Sequence, residues 1–463
     1  MMTELPQEEF NQNLKNLVSK IKQNVDYGKK TGLIIQKKII VRKWIASDFK
    51  YNENGVDGLS MEGQEIEKDS WDESIGIVLT EIEKTEEYKF LSSKLPQTFN
   101  FDLWYFCRKL IFFELKGELT EDLLKRFEED AFKAINGESI GLVSDVAMEG
   151  IIVLTDKASF KILNLEISIR QVKKEDVEAE ISLDSWFYPR INHLRNPSAY
   201  LRVVSYGVNQ REAQNNVQKI ITILRLFRVG SARYLSYKTS SLSEALPGMG
   251  VTSTIREFFA DKRYVLRDWD IVNLKKFLEN MFQVLPTDIF SWKDKQEDYA
   301  QISYERYSEA LLEGGSEEKR VANLIMSLES IFLRRDDVTD LSFKLRNRIA
   351  KVFSKLGFNP LTTRKLIGAM YHVRSLYVHG GILSYEGRKE FTERYGQEVS
   401  KFLEELYEYV RISIVIMLLS SRGKIAFIDL IDDAFIDKNK DEELERIIQS
   451  IRTSIPISTT EAK

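Results

Sequence analysis

The sequence predicts an α+β N-terminal domain with a mostly antiparallel sheet, followed by an all-α helical bundle. Three observations carry this expectation. Between about residues 30 and 240, short β-branched and aromatic runs alternate with helical stretches, and hairpin-length spacings dominate. A stretch rich in Ser, Gly and Pro follows at 239–253. From 300 onward apolar residues recur at i, i+3, i+4 and i+7, the period of a helix face. At 463 residues the chain is long enough for two domains or three. The expected divisions are 1–240, a helical connector at 241–299, the bundle at 300–425 and an acidic helical tail at 426–463.

In chain order, the apolar runs at 32–35 and 75–79 are expected as strands, and 150–154 opens another. Apolar residues alternate strictly over 164–170, as in a half-buried strand. Runs at 179–187 and 201–206 add two more. Val217, Ile220, Ile221, Leu224 and Phe227 return to helical spacing. The stretch 239–253 reads as a loop. Its Gly248-Met249-Gly250 has no strand-to-helix context and no following lysine, so ordinary turn chemistry explains it better than phosphate binding. Residues 255–284 are expected to be mostly helical, stopping before Pro286.

The bundle follows. Val321, Leu324, Ile325, Leu328, Ile331 and Phe332 form one stripe, and Leu345, Ile349, Val352, Phe353 and Leu356 another. Thr362-Thr363 are the expected cap of a third helix that runs to His379, with Gly380 where helices commonly end. A fourth helix over 391–419 carries Val399, Phe402, Leu403, Leu406, Val410, Ile414, Met417 and Leu418 on one side. Four such helices with short connections make a bundle. The acidic segment 429–445 is expected to be a solvated surface helix.

Composition narrows the function classes. Hydrophobic residues at 43% and charged residues at 30% give a globular balance with material for real cores. The polar, acidic N-terminus predicts no secretory signal, and the longest apolar run, 412–419, is too short to span a bilayer. The one cysteine, Cys107, sits among aromatic residues and is expected as a buried structural thiol in a reducing, cytoplasmic compartment. His193 has no Cys or His partner at metal-ligand spacing, and no Walker loop or Ser/His/Asp order is present. Neither metal nor cofactor is therefore expected. The net charge is −4, yet 300–425 holds 20 Lys and Arg against 16 Asp and Glu, a modest surplus compatible with an RNA-facing surface.

Two of the three histidines, His372 and His379, flank Arg374 in Met-Tyr-His-Val-Arg-Ser-Leu-Tyr-Val-His-Gly-Gly at 370–381. Histidine titrates close to neutral pH, and arginine is a permanent cation whose planar fork suits phosphate. Together they supply what metal-free phosphodiester cleavage needs: a group that moves protons and one that holds the anion. At about 100° per residue, however, positions five apart on a helix point about 140° away from each other. Either the helix unwinds at Gly380-Gly381, or two chains meet along it so that each contributes to a common cleft, the simpler arrangement for a C2 dimer. The bland alternative is structural: His379 satisfies terminal carbonyls and Arg374 pairs with a neighbouring carboxylate.

At these residues the chain resembles the HEPN domains (higher eukaryote and prokaryote nucleotide-binding), whose motif is Arg, four to six residues, then His. It is most similar to the Apea-like branch found in bacterial defence proteins, with Tyr371, Arg374, Ser375, Val378, His379 and Gly380 in register. The helices around 323–332 and 341–350 also look like that branch's preceding helices. The resemblance covers about 303–422. It implies a four- to five-helix bundle that dimerises through the motif and often acts as a metal-independent endoribonuclease. The RNA 2′-OH attacks its own phosphodiester and leaves a 2′,3′-cyclic phosphate. In that reading Arg374 holds the phosphate and His379 moves the proton. Ser375 stands where many active members carry Asn, Asp or His, and the Apea-like branch often has serine there.

Around this pair Tyr371, His372, Ser375, Gly380 and Glu329 are the expected supporting residues. Tyr371 and Tyr377 fit base stacking or packing in the bundle, and Glu329 fits either an orienting carboxylate from an adjacent helix or a structural one. The resemblance implies RNA as partner, a homodimer through the bundle and a role in abortive-infection type antiviral defence. The N-terminal half is then a sensing or regulatory domain for a trigger ligand or partner, with no membrane involved. The alternative is a non-catalytic HEPN module for dimerisation, RNA binding or partner recognition.

Overall fold

A computed structural model describes residues 6–46, 49–53, 55–57, 61–95, 101–136, 140–155, 157–176, 197–208, 210–243, 246, 249–253, 262–286, 299–420 and 422–456. The chain opens with α1 (Gln7–Thr31), β1 (Lys37–Ala46), β2 (Lys50–Asn52), β3 (Gly55–Asp57) and β4 (Met61–Ser70). Helices α2 (Asp72–Glu83), α3 (Glu86–Lys94), α4 (Leu103–Lys116) and α5 (Glu121–Ile135) follow. Next come β5 (Leu142–Glu149), β6 (Ile151–Val153), β7 (Lys157–Ile162), β8 (Leu165–Arg170) and β9 (Ala199–Ser205). Helix α6 (Gln210–Phe227) leads to β10 (Arg233–Ser241), β11 (Met249–Ser253) and β12 (Tyr264–Leu266).

Two compact units share the chain, and neither is one stretch of sequence. The first takes Met1–Ala147, Ser159–Asn216 and Leu235–Thr254, the second Met148–Ala158, Val217–Tyr234 and Ile255–Lys463.

In the first unit, α1 presents Phe10, Leu14, Leu17, Ile21 and Val25, at steps of three or four, to Val78, Leu79 and Ile82 of α2 and to Phe106, Leu110 and Phe127 of α4 and α5. Withdrawing each such side chain from water contributes about 1.5–3 kcal/mol. Cys107 is fully buried in the same core, and burial pushes its thiol far above the ordinary range. β1 and β4 form a long antiparallel ladder from Lys37↔Ser70 to Ala46↔Met61. A six-stranded sheet runs in the order β11-β10-β5-β9-β8-β7, with β8 and β9 antiparallel and Leu165, Ile167 and Ile169 buried as their alternation predicts.

Several expectations need correcting here. Residues 75–79 lie in α2, not a strand. Asp72 and Glu73 occupy its first turn, and Ile75, Val78, Leu79 and Ile82 share the buried side. Residues 32–35 are not a strand either: α1 ends at Gly32 (φ 73°), and both backbone groups of Ile35 bond to the Ser74 hydroxyl. The expected loop at 239–253 contains β11, which pairs antiparallel with β10 across a bulge at Lys238/Thr239. The expected run at 179–187, His193, Gly248 and the stretch 292–298 lie outside the described residues.

The second unit pairs β6 with β12 in parallel and is otherwise mostly helical. Residues 264–266 are strand, so the helix expected over 255–284 starts only at α7 (Ile271–Val284), which does stop before Pro286; 254–261 lie outside the described residues. Then come α8 (Tyr299–Leu312), α9 (Glu317–Phe332), α10 (Leu341–Lys355), α11 (Pro360–Val378), α12 (Tyr385–Tyr395) and α13 (Val399–Leu419). Helix α9 packs on α8, α11 and α13, and α10 packs on α11. All the stripe residues on α9 and α10 are buried, as is Leu356. The cap of α11 is Asn359, whose side chain accepts from the Leu361 and Thr362 N–H groups, with Pro360 in the first turn; Thr363 is buried inside the helix. The expected fourth helix is two, because Gly396 (φ 77°) ends α12 before α13 begins.

The tail is no solvated appendage. It forms α14 (Lys424–Asp433) and α15 (Lys438–Arg452), which bury Ile431, Leu444, Ile448 and Ile451 against α10 and each other. Buried Arg348 of α10 fastens it by donating to Asp432, to Asp337 and to the Phe332 carbonyl. A second buried guanidinium, Arg411 of α13, donates to the Leu226 and Phe227 carbonyls at the end of α6, to Glu408 and to the Pro456 carbonyl. A cation there meets the negative end of the helix dipole.

Candidate functional site

Helix α11 positions the motif. Val373 and Met370 face the core, which sets Arg374 at the edge of the buried side, facing α9. Its Nη2 donates to Glu329 Oε2 at 3.1 Å, and the guanidinium lies 5.7 Å from the Tyr371 ring centroid. Both partners of this ion pair are mostly withdrawn from solvent, at 23% and 17% side-chain exposure. The Tyr371 hydroxyl lies near enough to Glu329 to favour its charged form. Burial pushes the Glu329 carboxyl up, and the Arg374 charge and the Tyr371 hydroxyl oppose this without cancelling it. Burial and the Glu329 charge in turn push the Tyr371 hydroxyl up. The Nε of Arg374 is buried with no hydrogen-bond partner among the described residues.

His379 caps the other end. It follows the last residue of α11, its N–H donates to the Ser375 carbonyl at 3.2 Å, and its ring is exposed. Gly380 takes the left-handed conformation (φ 81°), and Gly381 donates back to the Leu376 carbonyl, closing the helix as a glycine terminus does. The turn does not unwind α11 ahead of His379. Arg374 and His379 therefore leave the helix in different directions, and no bond joins them among the described residues. His372 is exposed and Ser375 half-buried. Val378, Ile382 and Tyr385, close to His379 in sequence, are exposed at 50%, 71% and 87%.

Of the expected residues, the fold gathers Arg374, Glu329 and Tyr371 into one cluster and leaves His379, His372 and Ser375 outside it. The pairing of Arg374 with a carboxylate fits both the orienting and the structural expectation. Sequence reasoning passes over Arg346 of α10, whose guanidinium lies 3.7 Å from the position of a side chain on Gly368. The sequence marks the region, since no Asp or Glu occurs between Asp340 and Glu386, but not which of its cations stays unpaired. Among the described residues no group of three or more His, Cys, Asp or Glu is placed to hold a metal, and no helix is long and apolar enough to cross a membrane.

Comparison of the chain with protein-family models, with curated proteins and with solved structures finds no match.

Proposed function

We propose that this chain is a metal-independent HEPN endoribonuclease acting in prokaryotic, abortive-infection type defence. The observation that carries the reading is the Arg374 guanidinium, fixed by Glu329 from the neighbouring helix, with an exposed histidine at the end of the same helix. The resemblance of 370–380 to the Apea-like motif supplies the reaction class. The 2′-oxygen attacks the adjacent phosphorus and the 5′-oxygen leaves. The products are a 2′,3′-cyclic phosphate and a 5′-hydroxyl. Arg374 stabilises the charge that develops on the phosphoryl oxygens, and His379 carries the proton between the two hydroxyls.

The 140° divergence of the two side chains on α11 is met by a second copy, with an arginine and a histidine from each chain in a shared cleft. Exposed Val378, Ile382 and Tyr385, close to His379 in sequence, supply apolar surface for that contact. The first unit then serves as the sensing part, answering a trigger ligand or protein.

A second reading has its own observation. Glu329 already neutralises Arg374, as in a HEPN module that binds RNA or a partner without cutting.

The test is expression of the wild-type chain beside Arg374→Ala and His379→Ala, with and without phage challenge, and total RNA examined in each culture. The nuclease reading expects RNA damage or protection from the wild type alone. Three folded, dimeric proteins with the same effect would sink it and leave the binding module. In the tube, cleavage with EDTA present of RNA but not of its 2′-deoxy analogue is expected.

A further inference from the structure

We infer that Arg346 and Arg364, with Lys365 beside them, form a second anion-binding strip along α10 and α11 that takes the sugar-phosphate backbone of single-stranded RNA. This deepens the proposed function and rests on it for the identity of the polyanion. From Leu341 to Tyr385 the chain carries Lys344, Arg346, Arg348, Lys351, Lys355, Arg364, Lys365 and Arg374 and no carboxylate at all. The fold divides these cations into two sets. Lys344 and Arg348 pair with Asp337, Arg348 also with Asp432, Lys351 and Lys355 with Asp441, and Arg374 with Glu329. Arg346, Arg364 and Lys365 have no acidic partner among the described residues.

The unpaired arginines are not simply solvated side chains. Both are half-buried, and the Nε of each is buried without a hydrogen-bond partner among the described residues. A buried guanidinium N–H left unmatched is costly, and such groups call for a partner that the chain itself does not supply. Arg346 stacks on the exposed Phe343 ring at 5.6 Å and reaches over Gly368, where the missing side chain leaves its fork uncovered. Arg364 lies one helical turn before Gly368 on the same face. At about 100° per residue, Arg364, Gly368, Ser375 and His379 fall within about 60° of one another on α11. The strip thus runs roughly 22 Å along the helix to the exposed histidine. Forked guanidinium groups without acids suit phosphate, and Phe343 offers a face for a base. Specificity from such contacts is to backbone, not sequence.

The test uses the wild-type chain and a single-stranded 2′-O-methyl oligonucleotide, which binds as RNA does but has no 2′-OH to attack. Affinity is measured by fluorescence anisotropy over a range of salt, against the Arg346→Ala/Arg364→Ala variant, with thermal melts of both proteins. The variant should melt with the wild type and bind more weakly. Its salt dependence should fall by about 1.4 in logarithmic slope, since each lost phosphate contact on a single strand removes about 0.7. An Arg346→Lys/Arg364→Lys variant should keep most of the slope. Equal affinity and slope for wild type and the alanine variant overturn the strip. Displacement of the strand by poly-glutamate that depends on these two arginines, with no preference for nucleic acid, also overturns it, because the occupant is then an acidic protein surface. If the strip binds while His379→Ala and wild type treat unmodified RNA alike, the nuclease reading fails and the strip stands.

Discussion

Glu329 on α9 and Arg374 on α11 form a 3.1 Å ion pair that fastens the motif helix to the centre of the bundle. The pair is neither fully exposed nor fully buried, so its removal ranks between the two limits. Glu329→Ala should cost about 1–3 kcal/mol in chemical denaturation and should release the Arg374 fork. On the nuclease reading RNA cleavage falls with it. An unchanged midpoint and unchanged cleavage would show that Glu329 does not position the arginine.

The same carboxylate predicts a pH dependence. Its titration in the fold lies above the unfolded value, with burial as the largest cause. The stability it contributes is therefore fully present below the unfolded value and is lost as pH rises through the folded one. Relative to Glu329→Gln, the wild type should lose ground as pH rises from acid toward neutral. A difference that stays flat with pH, or grows in favour of the wild type, contradicts this.

Arg348 makes the opposite case. Burial alone would raise Asp337, but the bonds from Arg348, Lys344 and the Arg334 N–H outweigh it and hold the carboxyl well below the usual range. Stability from Asp337 is present above the ordinary aspartate value of about 3.9 and is lost as pH falls toward the lower folded value. Arg348→Ala leaves buried Asp337 with only Lys344 and the Arg334 N–H as partners and should cost about 3 kcal/mol, read from urea midpoints at neutral pH.

Ile448 tests the packed tail. It is fully buried on α15, and Ile448→Ala should cost about 2–5 kcal/mol. A solvated helix would tolerate the change with no shift in melting temperature.

Gly380 holds the turn behind His379. With φ at 81°, Gly380→Ala is strained whatever space surrounds it and should cost about 1 kcal/mol. Because the turn fixes where the histidine ring emerges, the nuclease reading expects a larger fall in cleavage than that loss of stability would give. Full cleavage in a folded Gly380→Ala protein would separate the turn from the chemistry.

The helices of the second unit were legible because their stripes run for three turns or more. Val321 to Phe332 and Leu345 to Leu356 admit no strand reading. Residues 75–79 misled because a five-residue apolar run fits a strand as well as a helix; only Ile82, one turn later, completes the helical period. The acidic tail misled in the opposite way. Its charges are dense, and Ile431, Leu444, Ile448 and Ile451 are spread across two helices. At the site, Arg374 and His379 stood out by composition, and the orienting part considered for Glu329 has its contact in the fold. Which cations remain unpaired could not be read from the chain, because the acids at 432 and 441 that neutralise Arg348, Lys351 and Lys355 lie far from them in sequence.

The buried Arg411 has a bearing on the order in which the second unit is made. One guanidinium gathers carbonyls at 226, 227 and 456 together with the carboxylate at 408. A ribosome adds about 5–20 residues per second, so for some seconds after Arg411 is added its last acceptor does not yet exist. During that interval the cation is incompletely matched, and the lowest-energy arrangement of α13 waits on the far end of the tail. Closure of the bundle around Arg411 therefore follows the synthesis of residue 456.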